Sequence, residues 1–177
     1  MGGAKREIRD RYDDLGGRLY DVRYAEEQRL KYESMQAHVM IEPDDIVLDN
    51  GCGTGLLFEY VTAYMVGLDV SVKLLIKAKD RANDMVQLVI GDSENLPFRP
   101  RMFHSVMSFT VLQNVSNPER MLREMDSARR VDGGLVVSIL KKALSKQEFI
   151  ELFIKSNLKI KKVFDTENTN DWMIISE

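Results

Sequence analysis

The chain has 177 residues, of which 44% are hydrophobic and 30% charged, and its formal net charge is −3 at pH 7. This length suits one domain with a full core, and the composition is typical of a soluble globular protein. The acidic balance does not favour nucleic acid as a partner, and no apolar run approaches the ~18 residues of a membrane helix. Residues 1–10 lack the apolar core of a signal peptide, and the single cysteine, Cys52, cannot form an internal disulfide. We therefore expect a cytoplasmic protein that does not contact a membrane.

The N-terminal segment has a helical pattern. Residues 5–39 are strongly charged, and four tyrosines recur there at multiples of four positions: Tyr12, Tyr20, Tyr24 and Tyr32. This spacing keeps side chains near one another on a helix surface, where they could cover a ligand or pack the helix onto a sheet. Gly16 and Gly17 interrupt the pattern, which predicts two short helices rather than one. We treat residues 1–43 as an N-terminal helical lid and residues 44–177 as the main structural unit.

The stretch Ile46–Gly55 has the pattern of a ligand cradle. Its apolar start predicts a buried strand, Asp49 follows, and glycines stand at 51, 53 and 55, before a predicted helix over Leu56–Ala63. Glycine lets the backbone approach a ligand closely, and a helix N-terminus behind it favours anionic groups. A dinucleotide loop, G-x-G-x-x-G, would need its third glycine where Leu56 stands. The spacing therefore disfavours NAD as the ligand.

The next predicted strands lead into polar residues. Tyr64–Asp69 ends in an acid that is placed to accept hydrogen bonds from ribose hydroxyls. Ser71 is expected to cap a helix over Val72–Asn83. The third strand covers Val86–Ile90 and the fourth covers Phe103–Phe109.

The C-terminal half continues the alternation of helices and strands. A helix is predicted to begin at Ser116–Glu119 and to run to about Arg130, with a turn at Asp132–Gly134 before the fifth strand. The remaining predicted elements are Leu135–Leu140 as strand, Ser145–Ser156 as helix, and Leu158–Phe164 and Trp172–Ile175 as a strand hairpin. The whole pattern predicts an α/β fold, namely a doubly wound, Rossmann-like, seven-stranded, mostly parallel sheet with an antiparallel last strand.

The glycine loop, together with Gly91-Asp92-Ser93-Glu94-Asn95-Leu96-Pro97-Phe98, resembles the motifs of class I S-adenosylmethionine-dependent methyltransferases. The closest subgroup is the UbiE-like, or type 11, kind, which carries G-D-A-E-x-L-P-F at the second place. The resemblance covers residues 44–177. It implies an S-adenosylmethionine-binding methyltransferase domain with S-adenosyl-L-methionine as cofactor, S-adenosyl-L-homocysteine as product and no metal.

The resemblance also implies roles for individual residues. The glycine loop would face the methionine part of the cofactor, Asp69 the ribose, and Asp92 with Ser93 the adenine, while the end of strand four would lie beneath the sulfonium. The residues expected to contact the cofactor are Asp49, Gly51, Cys52, Gly53, Thr54, Gly55, Asp69, Val70, Ser71, Gly91, Asp92, Ser93, Ser108 and Phe109.

A sulfonium methyl group is already activated, so its transfer requires aligned and dry reactants rather than an obligatory catalytic residue. The candidates near the methyl group are Tyr20, Tyr24, Gln113 and Asn114. Relatives often carry His-His or His-Val where Gln113-Asn114 stand, so their substrates cannot be carried over. Strand four also lacks the Asp/Asn-Pro-Pro-aromatic signature of adenine or glutamine methylation. This leaves an O, N, S or C nucleophile of a small molecule, a protein or a tRNA.

Little sequence remains for substrate recognition outside residues 1–43 and a few short loops. We therefore expect either a small substrate, or a site completed by a small activating protein or by a homodimer. The alternative is a non-catalytic S-adenosylmethionine-binding module that acts in a complex.

Three lysines near the C-terminus are expected to protect a sheet edge rather than to contact RNA: Lys159, Lys161 and Lys162.

Overall fold

The computed structural model describes residues 17–165 and 169–177, with side chains from residue 25 onward. Seven strands form one sheet in the order β3-β2-β1-β4-β5-β7-β6. Their bounds are β1 Ile46–Asn50, β2 Tyr64–Asp69, β3 Val86–Ile90, β4 Phe103–Phe109, β5 Arg129–Leu140, β6 Ile160–Asp165 and β7 Asp171–Ser176. The first five strands pair in parallel, and β7 pairs antiparallel with both β5 and β6. The predicted sheet, including its antiparallel end, is confirmed.

Helices cover both faces of this sheet. They are α1 Gly17–Gln36, α2 Val72–Ala78, α3 Pro118–Ala128 and α4 Lys146–Lys155, with short 3-10 turns at Leu56–Glu59 and Leu112–Asn114. Neighbouring residues of β1 show the two layers, because Val47 packs in the cluster with α1 and α2, and Leu48 packs with α3 and α4. This alternation follows from the period of two along a strand.

Local capping residues set three of the helix starts. Ser71 Oγ accepts from Leu74 N at 3.2 Å, and Asn117 caps α3 ahead of the proline at its first position. Ser145 and Glu148 form a capping box at the start of α4. The predicted starts of these three helices are therefore correct to within one or two residues.

The glycine loop does not lead into the predicted helix over Leu56–Ala63. Only a four-residue 3-10 turn, Leu56–Glu59, forms there. Gly55, which precedes this turn, has a left-handed backbone and provides no side-chain cap. Residues 60–63 are not helical, and the Tyr60 carbonyl accepts from Gln36 Nε2 of α1, before β2 begins at Tyr64 as predicted.

Two other boundaries differ from the predictions. The helix predicted over Val72–Asn83 ends at Ala78. The turn predicted at Asp132–Gly134 lies inside β5, opposite an irregularity in β4 where the pairing shifts between Phe103 and Ser105. A Cβ on Gly133 would lie 2.7 Å from the His104 carbonyl oxygen, so the glycine lets the two backbones approach closely.

The N-terminal prediction of two helices is described only in part. Helix α1 begins at Gly17, the second of the two glycines, and the helix predicted before it lies outside the described residues. The side chains of Tyr20 and Tyr24 also lie outside the described part. No helix within residues 17–165 or 169–177 is both long and apolar enough to span a bilayer.

Candidate ligand-binding site

The loop after β1 is built on glycines with left-handed backbones. Gly51 has φ 85° and Gly55 has φ 77°. A Cβ on Gly51 would lie 2.4 Å from Val111 Cγ2, and one on Gly55 would lie 2.4 Å from Phe58 Cε2. Both positions therefore require glycine for backbone conformation and for space. The backbone N–H groups of Gly51 and Cys52 both donate to the Leu68 carbonyl, at 2.7 and 2.9 Å, which anchors the loop to β2.

Asp69, at the end of β2, joins the two loops that follow β1 and β2. Its Oδ2 accepts from Gly53 N at 2.9 Å, and its Oδ1 accepts from Ser71 N at 2.8 Å. Asp69 therefore holds the cradle together as well as lining it.

A first cavity opens at the carboxyl ends of β1, β2 and β4. Its walls contain seven of the residues expected to contact a cofactor: Gly51, Gly53, Asp69, Val70, Ser71, Asp92 and Ser93. Asn114, a candidate near the methyl group, also lines it. Five further lining residues were not among the expected cofactor contacts, although Glu94 belongs to the Gly91–Phe98 motif: Leu74, Glu94, Thr110, Val111 and Val115. This position, outside the carboxyl ends of parallel strands, is where open α/β sheets bind ligands.

A second cavity adjoins the first and shares Gly51 with it. Five of its eight lining residues are expected cofactor contacts: Asp49, Gly51, Cys52, Thr54 and Phe109. Helix α1 covers it with Gln28 and Tyr32, and the Tyr32 ring packs edge-on against Phe109 with centroids 5.0 Å apart. Gln28 Oε1 is buried and has no hydrogen-bond partner among the described residues. A residue that lines this cavity therefore carries a buried acceptor without a protein partner in the described part of the chain.

Asp49 is the electrostatic centre of the second cavity. Burial, and to a lesser extent the nearby Asp69 carboxylate, raises the pKa of Asp49 from 3.8 to about 8. A cation placed next to this carboxyl group would favour its ionised form. The same burial, with both carboxylates, raises the pKa of the Cys52 thiol, so this cysteine is not an activated nucleophile.

The remaining expected site residues lie behind the cavity walls. Gly55 packs on Phe58, and a Cβ on Gly91 would lie 2.6 Å from Leu68 Cδ1. Ser108 is fully buried and donates to the Asn50 carbonyl at 2.8 Å. Gln113 Nε2 donates to the Thr110 carbonyl at 2.5 Å. Their predicted roles at the cofactor stay predictions. No group of three or more His, Cys, Asp or Glu in the described ranges is arranged to hold a metal ion.

Sequence reasoning missed the contribution of α1 through Gln28. Tyr32 belonged to the series of tyrosines at multiples of four, which was the available signal. Gln28 stands four positions before Tyr32 and therefore lies on the same helix surface, but nothing in its local sequence marks it.

Comparisons with known proteins agree with this geometry. The model of the type 11 methyltransferase domain family matches residues 48–137. Protein MJ1252 of Methanocaldococcus jannaschii is 33% identical over 135 residues, which are 76% of this chain and 52% of that protein. The 18S rRNA (guanine-N(7))-methyltransferase of Bos taurus is 31% identical over 99 residues, which are 52% of this chain and 35% of that enzyme. The chain thus spans about half the length, or less, of these curated relatives.

Solved structures show the same fold. One is a chain in the complex between the Haloferax volcanii Trm112 methyltransferase activator and a proposed methyltransferase, with a TM-score of 0.79 and 16% identity over 93% of this chain and 96% of that one. The family match covers the glycine loop, the acid at the end of β2 and the Asp92 loop. The chain therefore belongs to the methyltransferase domain family of the type 11 kind, whose cofactor is S-adenosylmethionine.

Proposed function

We propose that this protein is a methyltransferase that binds S-adenosylmethionine across the two cavities. The observation that carries the proposal is that the two cavities meet at Gly51 and have different acidic residues in their walls. The first cavity has the carboxylates of Asp69 and Asp92 in its wall, and the second contains the buried Asp49. A nucleoside with hydroxyl donors suits the first cavity, and a cationic ammonium group suits the second.

Each part of the cofactor has residues that fit it. Asp69, with Val70 and Ser71 beside it, would hold the ribose, and Asp92 with Ser93 would hold the adenine. In the second cavity, Asp49 and the unpaired Gln28 Oε1 would accept hydrogen bonds from the methionine ammonium group. When bound, S-adenosylmethionine supplies a methyl group on a sulfonium that is already activated for transfer.

The protein's own contribution would be alignment and exclusion of water. Helix α1 would close the second cavity with Gln28 and Tyr32, as expected for an N-terminal helical lid. Asn114 and Val115 line the first cavity beyond the cradle and would face the acceptor. The acceptor class is an O, N, S or C nucleophile of a small molecule, or of a protein or tRNA when a partner is present.

A transfer experiment tests both the activity and the acceptor class. The protein is incubated with S-adenosylmethionine carrying a tritiated methyl group and with separated low-mass, protein and RNA fractions of a cell lysate. We expect label in one fraction, and a strong loss of label for Asp69→Asn. An Asp80→Asn variant, at an exposed position, is the matched control. Cofactor binding without label in any fraction would instead support a non-catalytic module.

We also propose that a small activating protein docks on the β3 edge of the sheet. The opposite edge strand, β6, carries exposed lysines, as solvated edges commonly do. The β3 edge carries exposed apolar side chains instead, on the strand, on the residue before it and on the adjacent α2: Val72 47%, Ile76 62%, Met85 45% and Ile90 63% exposed. Strand β3 ends at Ile90, shortly before Asp92 and Ser93, which line the first cavity. A partner strand paired with β3 would therefore order one wall of this cavity.

One of the similar solved structures is a complex with the Trm112 methyltransferase activator. This supports a small activating protein as the partner that binds the β3 edge. We expect Ile76→Asp/Ile90→Asp to abolish co-purification with a co-expressed Trm112-type activator, while Ile154→Asp, at an equally exposed position on α4, leaves it intact. Unchanged co-purification of the double variant would contradict the docking surface. A mass of two copies without the activator would identify a homodimer instead.

A further inference from the structure

Helix α1 contains a lysine that is almost completely buried. Lys31 is 1% exposed, and its Nζ lies 3.0 Å from Oδ2 of Asp171 in β7, which is 0% exposed. Glu27 lies farther from the ammonium group, at 3.6 Å. Removing two charges from water is unfavourable, and an apolar pair of similar volume often holds two elements together as well or better. The charges therefore serve something besides joining α1 to the sheet.

Both charged side chains form hydrogen bonds with Thr110, which directly follows β4. Lys31 Nζ donates to Thr110 Oγ1 at 2.8 Å, and that hydroxyl donates to Asp171 Oδ2 at 2.8 Å. Ser138 completes the arrangement, because its hydroxyl donates to Asp171 Oδ2 at 2.7 Å and accepts from Thr110 N at 3.0 Å. Both the side chain and the backbone of Thr110 are therefore fixed by the buried pair and its neighbour.

Thr110 has a backbone conformation that a β-branched residue rarely adopts. Its φ is 61°, in the left-handed region, where the branched Cβ meets the backbone unfavourably. Such a residue persists only when its surroundings hold it, and strain of this kind concentrates at functional sites. The network around Lys31 and Asp171 provides that hold.

The strained residue shapes the wall of the first cavity. The Thr110 carbonyl accepts from Gln113 Nε2 at 2.5 Å and from Asn114 Nδ2 at 3.3 Å. Val111 follows and lies against Gly51 of the glycine loop. Thr110, Val111 and Asn114 all line the cavity, whereas Lys31 and Asp171 line neither cavity. The pair therefore acts through Thr110.

We propose that Lys31 and Asp171 are positioning residues, which hold Thr110 in its left-handed conformation and thereby fix the cavity wall of residues 110–115, which meets the glycine loop where Val111 lies against Gly51. This inference rests on the proposed function, because the cavity is taken to hold S-adenosylmethionine. Since Gln28 and Tyr32 also belong to α1, the same pair fixes the cover of the second cavity relative to that wall.

The test uses rescue by glycine. Glycine adopts a φ near 60° without strain, so Thr110→Gly keeps the wall in place without the pair, whereas Thr110→Ala removes the hydroxyl and keeps the strain. Each substitution is combined with Lys31→Met, and S-adenosylmethionine affinity is measured calorimetrically. We expect Lys31→Met to weaken binding by about tenfold or more, which is the scale of one such strained residue. Lys31→Met/Thr110→Gly should bind within about threefold of Thr110→Gly alone, with no such recovery for the alanine variant.

Equal affinities of the glycine and alanine double variants, or an unchanged affinity of Lys31→Met, would overturn the inference. If Lys31 only anchored α1, Thr110→Gly would not restore the affinity that Lys31→Met removes. If Lys31→Met does not fold, the same comparison is made in Lys31→Met/Asp171→Asn, which removes both charges. Failure of the wild-type protein to bind S-adenosylmethionine would instead refute the proposed function, so the two failures are distinguishable.

Discussion

The buried carboxyl group of Asp49 predicts a pH-dependent affinity for S-adenosylmethionine. Its pKa is raised to about 8, so at pH 7 the ligand-free protein holds it about nine-tenths protonated. If the methionine ammonium group binds the ionised form, the apparent affinity is reduced by the fraction of protein in that form. That fraction rises from about 1% at pH 6 to about 9% at pH 7. We therefore expect binding to tighten about tenfold over this unit.

The assay is calorimetric titration at pH 6 and pH 7, each in two buffers with different ionisation enthalpies. We expect release of nearly one proton per cofactor bound at pH 7, because binding ionises a carboxyl group that was mostly protonated. The ligand's own α-amino group, with a pKa of about 7.7–8.0, stays mostly protonated in this range. Asp49→Asn should bind more weakly at pH 7 and should lose both the pH dependence and the proton release. Equal pH dependence in Asp49→Asn and in the wild-type protein would refute the reasoning.

The same group predicts how the ligand-free fold responds to pH. The pKa of Asp49 in the folded state lies above its unfolded value of 3.8, so its contribution to stability is fully present below about pH 4 and is lost as pH rises to about 8. The loss is at most about 1.4 kcal/mol per pH unit. Denaturant titrations of Asp49→Asn between pH 5 and 8 should therefore show a smaller decline than the wild-type protein.

Three further predictions concern the loop, a helix cap and the thiol. Gly51→Ala should abolish cofactor binding, because the new Cβ clashes with Val111 and the position has a positive φ. Adding Val111→Ala removes only the clash and should restore only part of the affinity, as measured by calorimetry. Asn117→Ala should lower the free energy of unfolding by about 1 kcal/mol through loss of the cap on α3, whereas Ser116→Ala should change it little in denaturant titrations. Cys52 should react slowly with iodoacetamide at pH 8 and quickly after unfolding, as followed by mass spectrometry, since burial keeps its pKa raised. Rapid labelling of the folded protein would contradict that burial.

The sheet was predictable because its signals are local. The apolar run before Asp49 marks β1, the capping residue Asn117 with the following proline marks α3, and the hairpin of β6 and β7 follows from two adjacent strand patterns. Motif spacing also indicated the cradle, because Asp69 and Asp92 follow successive strands whose carboxyl ends share one edge of a parallel sheet. These residues line the same cavity.

Features that depend on distant packing were not predictable. Lys31 and Asp171 come from opposite ends of the chain, and neither residue carries a local pattern that indicates burial. The left-handed backbone of Thr110 depends on this pair and on Ser138. The prediction of a helix over Leu56–Ala63 was wrong although β2 begins where expected, because a contact with a distant element, from Gln36 of α1 to the Tyr60 carbonyl, lies where the helix would continue. Propensity is a weak prior wherever tertiary contacts compete with it.

The most direct test of the central claim is calorimetric titration of the purified protein with S-adenosylmethionine and, separately, with NAD. We expect micromolar binding of S-adenosylmethionine and none of NAD. We also expect at least about a tenfold loss of affinity in Asp69→Ala, at the scale of one charge-assisted hydrogen-bond site. Asp80→Ala, at an exposed position, should bind like the wild-type protein. Binding of NAD, or an Asp69→Ala variant that folds and binds S-adenosylmethionine with unchanged affinity, would contradict the assignment of these cavities to the cofactor.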